Sequence, residues 1–373
     1  DHVTLWRFFA DHKPALKALF RRVVQVAAEA GLVGFALHAL DGTKLQAAGS
    51  TETAWHKDAL AKRLATLDAW VEAEVARVER TEAAAEPSYA MPASLADAEA
   101  RRAELRAALA RLEQAETAHL QPSEPEARAM KHRGGGTTLS YNAQAVVDDD
   151  SGLVVAAELT ASASDRGQLV AGVAEVLETF GRVAEQTVAD AGYDDGASFV
   201  DAEMRQFPVV VPLQAPSTTG PYAKERFAYD AARDGYVCPR GTLLPLERLR
   251  RPSADKPQPQ AVYRCPNRDC PVRTDCSPDP KGRTVRRTPV EPARARQAER
   301  NRGASERRAI ALRKTIVEPP FAQIKHNDGF RRFTARGEAG ARAQWLLACL
   351  ALNLRTLAEA WSFGALRLRP AAV

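Results

Sequence analysis

Three acidic residues, Asp41, Asp190 and Glu318, stand where their carboxylates could hold a divalent metal ion. Asp41 ends the apolar run 32–40, Asp190 ends the run 186–189, and Glu318 lies in an Arg-rich helical pattern. Carboxylates at strand ends project beyond a sheet edge, where several can converge on one place. Three such groups suit Mg²⁺, which takes hard oxygen ligands and keeps water or phosphate in its remaining positions. The pattern predicts a two-metal site for phosphoryl transfer on DNA.

Each acid taken singly also fits a structural role. Asp41-Gly42 is a common turn pair, because Asp and Gly tolerate the backbone dihedrals of tight turns. The order of two strand-end Asp residues followed by a Glu in a basic helix favours a site over three unrelated turns.

Several motifs carry a resemblance to a known family. They are Leu40-Asp41-Gly42-Thr43-Lys44, Tyr141-Asn142-Ala143-Gln144-Ala145-Val146-Val147-Asp148, Ser164-Asp165-Arg166-Gly167-Gln168-Leu169, Ala189-Asp190-Ala191-Gly192-Tyr193, Val317-Glu318-Pro319-Pro320-Phe321-Ala322-Gln323-Ile324-Lys325 and Gly329-Phe330-Arg331-Arg332-Phe333. In this order they resemble the bacterial insertion-sequence DDE transposases, whose catalytic domain has the RNase H-like fold of the retroviral integrase group.

The resemblance implies that Asp41, Asp190 and Glu318 are the catalytic triad and the ligands of two Mg²⁺ or Mn²⁺ ions. Asp41 would bridge the ions, with Asp190 and Glu318 each completing one side. Relatives carry Tyr, Arg, Glu and Lys at set spacings around the third acid. Glu318 and Lys325 match this pattern, whereas Lys314 replaces the Arg and Ala311 replaces the Tyr. The roles of the family's Arg and Tyr are therefore not assigned to Lys314 and Ala311.

The distribution of charge indicates a nucleic-acid partner. The whole chain has 52 Lys and Arg against 47 Asp and Glu, but residues 281–342 hold 17 basic against 6 acidic residues. Such an excess favours binding to phosphates, because basic groups release counterions from DNA. A solvated helix face is the alternative. The expected DNA-binding residues are Arg313, Lys314, Lys325, Arg331 and Arg332.

Four of the five cysteines lie in a Pro-rich segment. Gaps of 26, 4 and 5 residues separate Cys238, Cys265, Cys270 and Cys276. Four thiolates could form a structural Zn²⁺ site that staples a segment poor in apolar residues. Four free, reduced thiols are the alternative. Cys349 lies in an apolar helix and is expected in the core.

The predicted fold class is α/β, with an RNase H-like mixed sheet flanked by helices. A helical hairpin is expected as an insertion after the first strand, and a Cys-containing Pro-rich insertion before the last catalytic helix. The expected domains are a remnant of an N-terminal helical region (1–31), a catalytic core (32–52 and 131–214), the helical insertion (53–130), the Cys-rich insertion (215–290) and C-terminal helices that complete the core (291–373).

Local signals predict the elements that carry the acids. A helix is expected over 13–30, ended by Gly31, and a strand over 32–40 that delivers Asp41. Strands are also expected over 140–148 and 152–160, and over 184–190. A basic helix is expected over 292–316, with a break at Glu318, because Pro319 and Pro320 cannot continue a helix smoothly.

The expected partners are double-stranded DNA, as transposon ends and target, and a second copy of the chain bound on the same DNA. No apolar span is long enough to cross a bilayer, and the odd cysteine count does not suggest a secreted disulfide framework, so the cytoplasm is the expected compartment. The chain begins with Asp1 and is expected to be a fragment or a trimmed form. Two alternatives stay open: a catalytically silent DNA-binding remnant, and an RNase H-like nuclease that cuts without joining.

Overall fold

A computed structural model describes residues 1–49, 54–82, 93–114, 119–121, 123–132, 134–215, 220–253 and 258–362. The helices are α1 (His2–His12), α2 (Leu16–Glu29), α3 (Lys57–Glu82), α4 (Ala93–Gln114), α5 (Leu169–Phe180), α6 (Gly196–Met204), α7 (Arg273–Cys276), α8 (Glu291–Arg300), α9 (Ala304–Ala322) and α10 (Gly337–Ser362). The strands are β1 (Leu37–Gln46), β2 (Trp55–His56), β3 (His119–Leu120), β4 (Arg128–Lys131), β5 (Thr137–Asp148), β6 (Val154–Thr160), β7 (Gln186–Val188), β8 (Val209–Val210), β9 (Ala228–Asp230), β10 (Gly235–Val237), β11 (Leu243–Arg250), β12 (Gln260–Arg264) and β13 (Thr284–Arg287). No helix in these ranges is both long and apolar enough to cross a membrane.

The chain divides into two compact units, which share strand β1. Unit 1 comprises Asp1–Gly34, Asp41–Asp165 and Ile316–Val373. Unit 2 comprises Phe35–Leu40 and Arg166–Thr315. The amino-terminal part of β1 therefore belongs to unit 2 and its carboxyl-terminal part to unit 1.

In unit 1, strand β5 is the centre of the sheet. It pairs antiparallel with β4 and β6 and neighbours β1. Helix α10 packs on β6 and on α2. Trp345 of α10 is fully buried and its indole Nε1 donates to the carbonyl of Gln144 at 3.0 Å, so a polar contact fixes the helix on the strand. Apolar residues fill the rest of this contact, as expected for a half-buried sheet face.

Helices α3 and α4 of unit 1 pack against each other through two small apolar clusters. One cluster contains Leu60, Leu105 and Leu112, and the other contains Val71 and Leu95. Leu60 and Val71 recur on α3 at helical spacing, which explains why one stripe is buried while the rest of the helix carries charge. These helices occupy most of the range in which a helical insertion is expected.

In unit 2, Leu37–Ala39 of β1 pairs in parallel with β7, and β7 pairs in parallel with β8. Helix α8 is tied to the segment of β8 by side chains: Gln297 donates to the carbonyl of Val209 at 3.3 Å and Asn301 donates to the carbonyl of Val211 at 2.8 Å. The mixed arrangement of strands and helices across the two units is compatible with an RNase H-like fold.

Unit 2 also contains an antiparallel sheet with the order β13-β12-β11-β10-β9. Its core consists of Phe227, Tyr236, Leu244, Tyr263 and Val285. This Pro-rich segment was expected to be too poor in apolar residues to fold alone, but its core contains three aromatic side chains. Phe227, Tyr236 and Tyr263 bury a large apolar area although they are few, because each aromatic ring is large.

The first strand differs from its predicted bounds. It was expected over 32–40 with Asp41 in a turn, but β1 spans Leu37–Gln46 and Asp41 lies inside it. Phe35 has a φ of 57°, a left-handed conformation that no strand can contain, so the extended segment begins only afterwards. Pairing continues past Asp41, and the amide of Ala47 donates to the carbonyl of Leu139 at 2.8 Å.

The helix that carries Glu318 also differs from prediction. The basic region expected as one helix over 292–316 forms α8, which ends at Arg300, and α9, which begins at Ala304. Helix α9 runs through Glu318 with both Pro319 and Pro320 inside it, so the expected break at Glu318 is wrong. The irregularity comes later, as a π-helical turn over Gln323–Asn327. Proline removes backbone donors, and a widened turn directly after the prolines is a common way to absorb the mismatch.

Candidate functional site

Asp41 lies in the middle of β1 and is half-buried. Its Oδ1 accepts a hydrogen bond from the amide of Gly42 at 2.8 Å. A Cβ atom on Gly42 would lie 2.2 Å from Nε2 of Gln144 and 2.6 Å from Oδ1 of Asp165. Gly42 therefore faces these side chains at a distance that only glycine allows. Because side chains alternate along a strand, Asp41 and Thr43 share the opposite face of β1.

A polar cluster covers the Gly42 face of β1. Asn142 Nδ2 and Gln144 Nε2 of β5 each donate to Oδ1 of Asp165 at 2.8 Å. These residues lie in motifs that carry the family resemblance, but no role was predicted for them from the sequence. The sequence does contain a signal for this cluster, because Asn142 and Gln144 are polar residues two positions apart in a largely apolar strand. Residues at this spacing lie on the same face of a strand. The cluster fixes the strand position next to Asp41.

Lys325 connects β1 to the chain segment that contains Glu318. Its Nζ donates to Oγ1 of Thr43 at 2.6 Å. Thr43 is on the same face of β1 as Asp41, and Glu318 precedes Lys325 by seven residues, about two helical turns. Burial, and then the charge of Arg331, lower the pKa of Lys325 below its ordinary value. Unit 1 therefore holds Lys325 on the face of β1 that carries Asp41 and Thr43.

Arg331 and Arg332 anchor this segment by bonds to backbone carbonyls. Arg331 Nε donates to the carbonyl of Lys325 at 3.0 Å. Arg332 donates to the carbonyls of Ala47 and Ala48 at 3.1 and 2.5 Å. Both side chains were expected to contact DNA, and the structure gives each of them an intramolecular role as well. Their charges still lie at the surface, where the two residues are exposed.

Asp190 follows strand β7 in unit 2 and begins a short 3₁₀ turn. Its Oδ1 accepts from the amide of Gly192 at 2.7 Å, which caps the turn. In the parallel pairing of β1 with β7, Ala39 is opposite Val188. Asp41 and Asp190 each follow this pair by two residues on their own strands.

Glu318 is an exposed residue of α9 in unit 1. Arg313 and Lys314, one turn earlier on the same helix, belong to unit 2 by compactness, and Lys314 is exposed. Across the described parts of the chain, no group of three or more His, Cys, Asp or Glu side chains has a metal-holding arrangement. The triad assignment therefore stays a prediction.

His132 of unit 1 lies near two lysines, Lys325 and Lys44 of β1. His132 Nε2 lies 2.9 Å from Oγ of Ser140 and 2.8 Å from Oγ1 of Thr138. Its pKa is lowered, first by burial and then by the charges of Lys325 and Lys44. The lowered pKa keeps the imidazole neutral at pH 7, while the two lysines provide the local charge. A positive field beside a carboxylate suits a site that approaches phosphates.

The four cysteines of the Pro-rich segment are free and half-buried, and Cys349 is fully buried in α10, as expected. Cys238 directly follows β10 and Cys265 directly follows β12. Cys270 and Cys276 lie in the connection from β12 to β13, with Cys276 at the end of α7. The four residues therefore belong to loops at one end of the five-stranded sheet.

Comparison with known proteins identifies a family over the carboxyl-terminal part of the chain. Residues 237–358 match the family model of a transposase DDE domain. No curated protein and no solved structure matches the chain. The matched span contains Glu318, Lys325 and the four clustered cysteines, and it excludes Asp41 and Asp190. Over residues 237–358 the match supports the resemblance to DDE transposases that was drawn from the sequence.

Proposed function

We propose that this protein cleaves the ends of an insertion sequence and joins them to target DNA through Asp41, Asp190 and Glu318. The observation that carries the proposal is the parallel register of β1 and β7. Ala39 pairs with Val188, and an Asp follows two residues later on each strand. The backbones of adjacent parallel strands are roughly 5 Å apart. Two ligands of one metal site can be supplied in this way.

The hydrogen bond from Lys325 to Thr43 supports the inclusion of Glu318. It holds the segment after α9 against the face of β1 that carries Asp41. Glu318 lies about two turns earlier, roughly 10 Å along the helix, which a Glu side chain and a metal-bound phosphate can bridge. Lys325 is then placed to contact a phosphate near the reacting group.

The donor set fits Mg²⁺ or Mn²⁺. Asp41, Asp190 and Glu318 offer hard carboxylate oxygens, and Asp41 and Asp190 are oriented by hydrogen bonds from Gly42 and Gly192 that engage their Oδ1 atoms. When bound, the ions would stabilise charge on the attacking and leaving oxygens of a phosphodiester. The protein residues position the carboxylates, and Lys325 and Lys44 attract the DNA backbone.

DNA is the substrate that the transposase domain implies, and we propose that two copies of the chain act together on paired ends. The cytoplasm is the compartment that this function requires in a bacterial cell. The basic residues of 281–342 would supply the nonspecific part of DNA affinity, which should fall steeply as salt rises.

The proposal is tested with a supercoiled plasmid that carries the element's own ends, incubated with Mg²⁺ or Mn²⁺. The parent chain is compared with Asp41→Asn, Asp190→Asn and Glu318→Gln. These variants keep an oxygen acceptor at each position, so the bonds from Gly42 and Gly192 survive. Glu359→Gln, an exposed acid on α10, is the control for loss of one negative charge.

Loss of cleavage by at least 10³-fold in all three variants, with unchanged DNA binding, is the expected result. Full activity of Asp190→Asn would overturn the assignment of the triad. Nicked DNA without joined products would indicate a nuclease without transfer activity. DNA binding without cleavage by the parent chain would indicate a silent remnant.

A further inference from the structure

The antiparallel sheet of unit 2 collects four cysteines at one end. Strand β11 pairs antiparallel with both β10 and β12, so β10 and β12 run in the same direction. Cys238 and Cys265 each directly follow one of these two strands. They therefore leave the sheet at the same end, although 26 residues separate them in the sequence.

The other two cysteines return to the same end. The connection between β12 and β13 begins at Cys265 and closes where the amide of Cys265 donates to the carbonyl of Arg283 at 2.9 Å. Cys270 and Cys276 lie within this connection, and Cys276 is the last residue of the short helix α7. Cys238, Cys265 and Cys276 all pack against the core of Phe227 and its aromatic neighbours.

The buried guanidinium of Arg283 is an independent indication that a negatively charged group binds near the four cysteines. Its Nη1 donates to the carbonyl of Cys276 at 3.5 Å. Its Nε is buried and has no hydrogen-bond partner among the described residues. A buried donor without a partner is destabilising, and nearly all such groups are satisfied in native proteins. A cluster of thiolates beside Arg283 would supply the missing acceptor.

The turn after β10 is also shaped to present its cysteine. The amide of Gly241 donates to the carbonyl of Cys238 at 2.8 Å, and the amide of Cys238 donates to the carbonyl of Thr242 at 2.9 Å. Gly241 has a φ of 81°, which a residue with a side chain adopts at a cost. The turn is thus held closed by two backbone bonds around Cys238.

We propose that Cys238, Cys265, Cys270 and Cys276 bind one Zn²⁺ and that the ion stabilises the five-stranded sheet. Zinc accepts four thiolates in a tetrahedral shell, and structural sites of this kind contribute directly to folding. The described thiols lack metal-holding geometry as they stand, so the proposal includes their closure around the ion. It goes beyond the transposase function and does not depend on it.

The first test measures metal content and thiol reactivity in the full chain. One zinc per chain by elemental analysis is expected. Under native conditions an alkylating reagent should leave the four cysteines unmodified, and a chelator should make them reactive. Cys349 is the internal control: burial raises its pKa well above the ordinary value, so it should stay unreactive in both cases.

The second test uses variants and cobalt. Cys265→Ser and Cys276→Ser should lose zinc, whereas Cys349→Ser should keep it. Because the first two variants can fail to fold, Co²⁺ is also bound to the parent chain, where the spectrum of tetrahedral thiolate cobalt is expected. Arg283→Gln should bind zinc about 10-fold to 100-fold more weakly in competition with a chelator.

Well under one zinc per chain, with the four thiols equally reactive with and without chelator, would overturn the proposal. A cobalt spectrum without thiolate ligation would do the same. Failure of this proposal is distinguishable from failure of the proposed function, because none of these measurements uses DNA cleavage.

Discussion

Lys325 Nζ and Thr43 Oγ1 lie 2.6 Å apart and join two chain segments that are distant in sequence. The bond fastens the region after α9 to the strand that carries Asp41. It also places a half-buried ammonium group, whose pKa burial lowers, beside the predicted catalytic strand. A phosphate that approaches Lys325 would replace part of the solvation that burial removes.

Thr43→Val removes the acceptor of Lys325 and keeps the shape of the side chain. We expect a loss of about 1–2 kcal/mol in the free energy of unfolding, because a hydrogen bond to a charged group is lost. DNA cleavage should fall while nonspecific DNA affinity stays the same. Denaturant titration and plasmid cleavage measure the two effects. Thr66→Val, on an exposed position of α3, should change stability by less than about 0.5 kcal/mol. Equal losses in the two variants would contradict the role of the bond.

Gly42→Ala should disturb the strand at Asp41. The added methyl group would lie 2.2 Å from Gln144 Nε2 and 2.6 Å from Asp165 Oδ1. We expect a destabilisation of about 1–3 kcal/mol, because a closely packed site must shift to admit it. Thermal unfolding measures the effect. Gly134→Ala is the matched control, since an added Cβ atom there meets nothing within 4 Å. An unchanged unfolding temperature for Gly42→Ala would contradict the prediction, because the side chains of Gln144 and Asp165 would then move aside at little cost.

Arg294→Ala should destabilise unit 2 strongly. Arg294 donates to both carboxylate oxygens of Asp194 at 3.0 and 2.5 Å, and the Asp194 side chain is only 2% exposed. Removal of the guanidinium leaves a buried carboxylate without its ionic partner, which costs about 3–5 kcal/mol. Chemical denaturation measures the loss. Arg296→Ala, on the same helix, breaks a more exposed pair with Glu203 and should cost at most about 1 kcal/mol. Similar losses for the two variants would refute the distinction.

Asn353→Leu should weaken the attachment of α10 to β6. The Asn353 side chain accepts from the amide of Val154 at 2.9 Å and donates to the carbonyl of Val154 at 2.8 Å. Leucine has a similar size but leaves both buried backbone groups unpaired, at about 1–3 kcal/mol each. Hydrogen exchange of the Val154 amide should accelerate. Leu354→Asn, at the exposed neighbouring position, is the control. Unchanged protection of Val154 would contradict this prediction.

His132 should titrate below an ordinary histidine, and Lys325 should be part of the reason. Burial and the charges of Lys325 and Lys44 lower its pKa. Because the folded state then binds fewer protons than the unfolded state, stability is lost as pH falls through the unfolded pKa of about 6.5. NMR titration of His132 should show a higher pKa in Lys325→Met. Lys62→Met, on exposed α3, should leave it unchanged. No difference between the two variants would exclude a contribution from Lys325.

The amino-acid sequence alone indicated the resemblance to DDE transposases, because the motifs from Asp41 to Lys325 form an ordered linear pattern. The matching family model covers part of that order. The sequence also determined strands β5 and β6, which follow from hydrophobic periodicity and from the turn residues between them. Local signals of this kind depend on neighbours in the chain and need no tertiary context.

The tertiary structure decided the positions that depend on distant contacts. Pairing with neighbouring strands carried β1 through Asp41-Gly42, where the local sequence indicates a turn. Packing kept α9 helical through Pro319 and Pro320, against their intrinsic preference. The partner of Lys325, the shared contact of Asn142 and Gln144 with Asp165, and the collection of four cysteines at one end of a sheet all join residues far apart in sequence. Such contacts follow from strand register and helix packing, which no local pattern specifies.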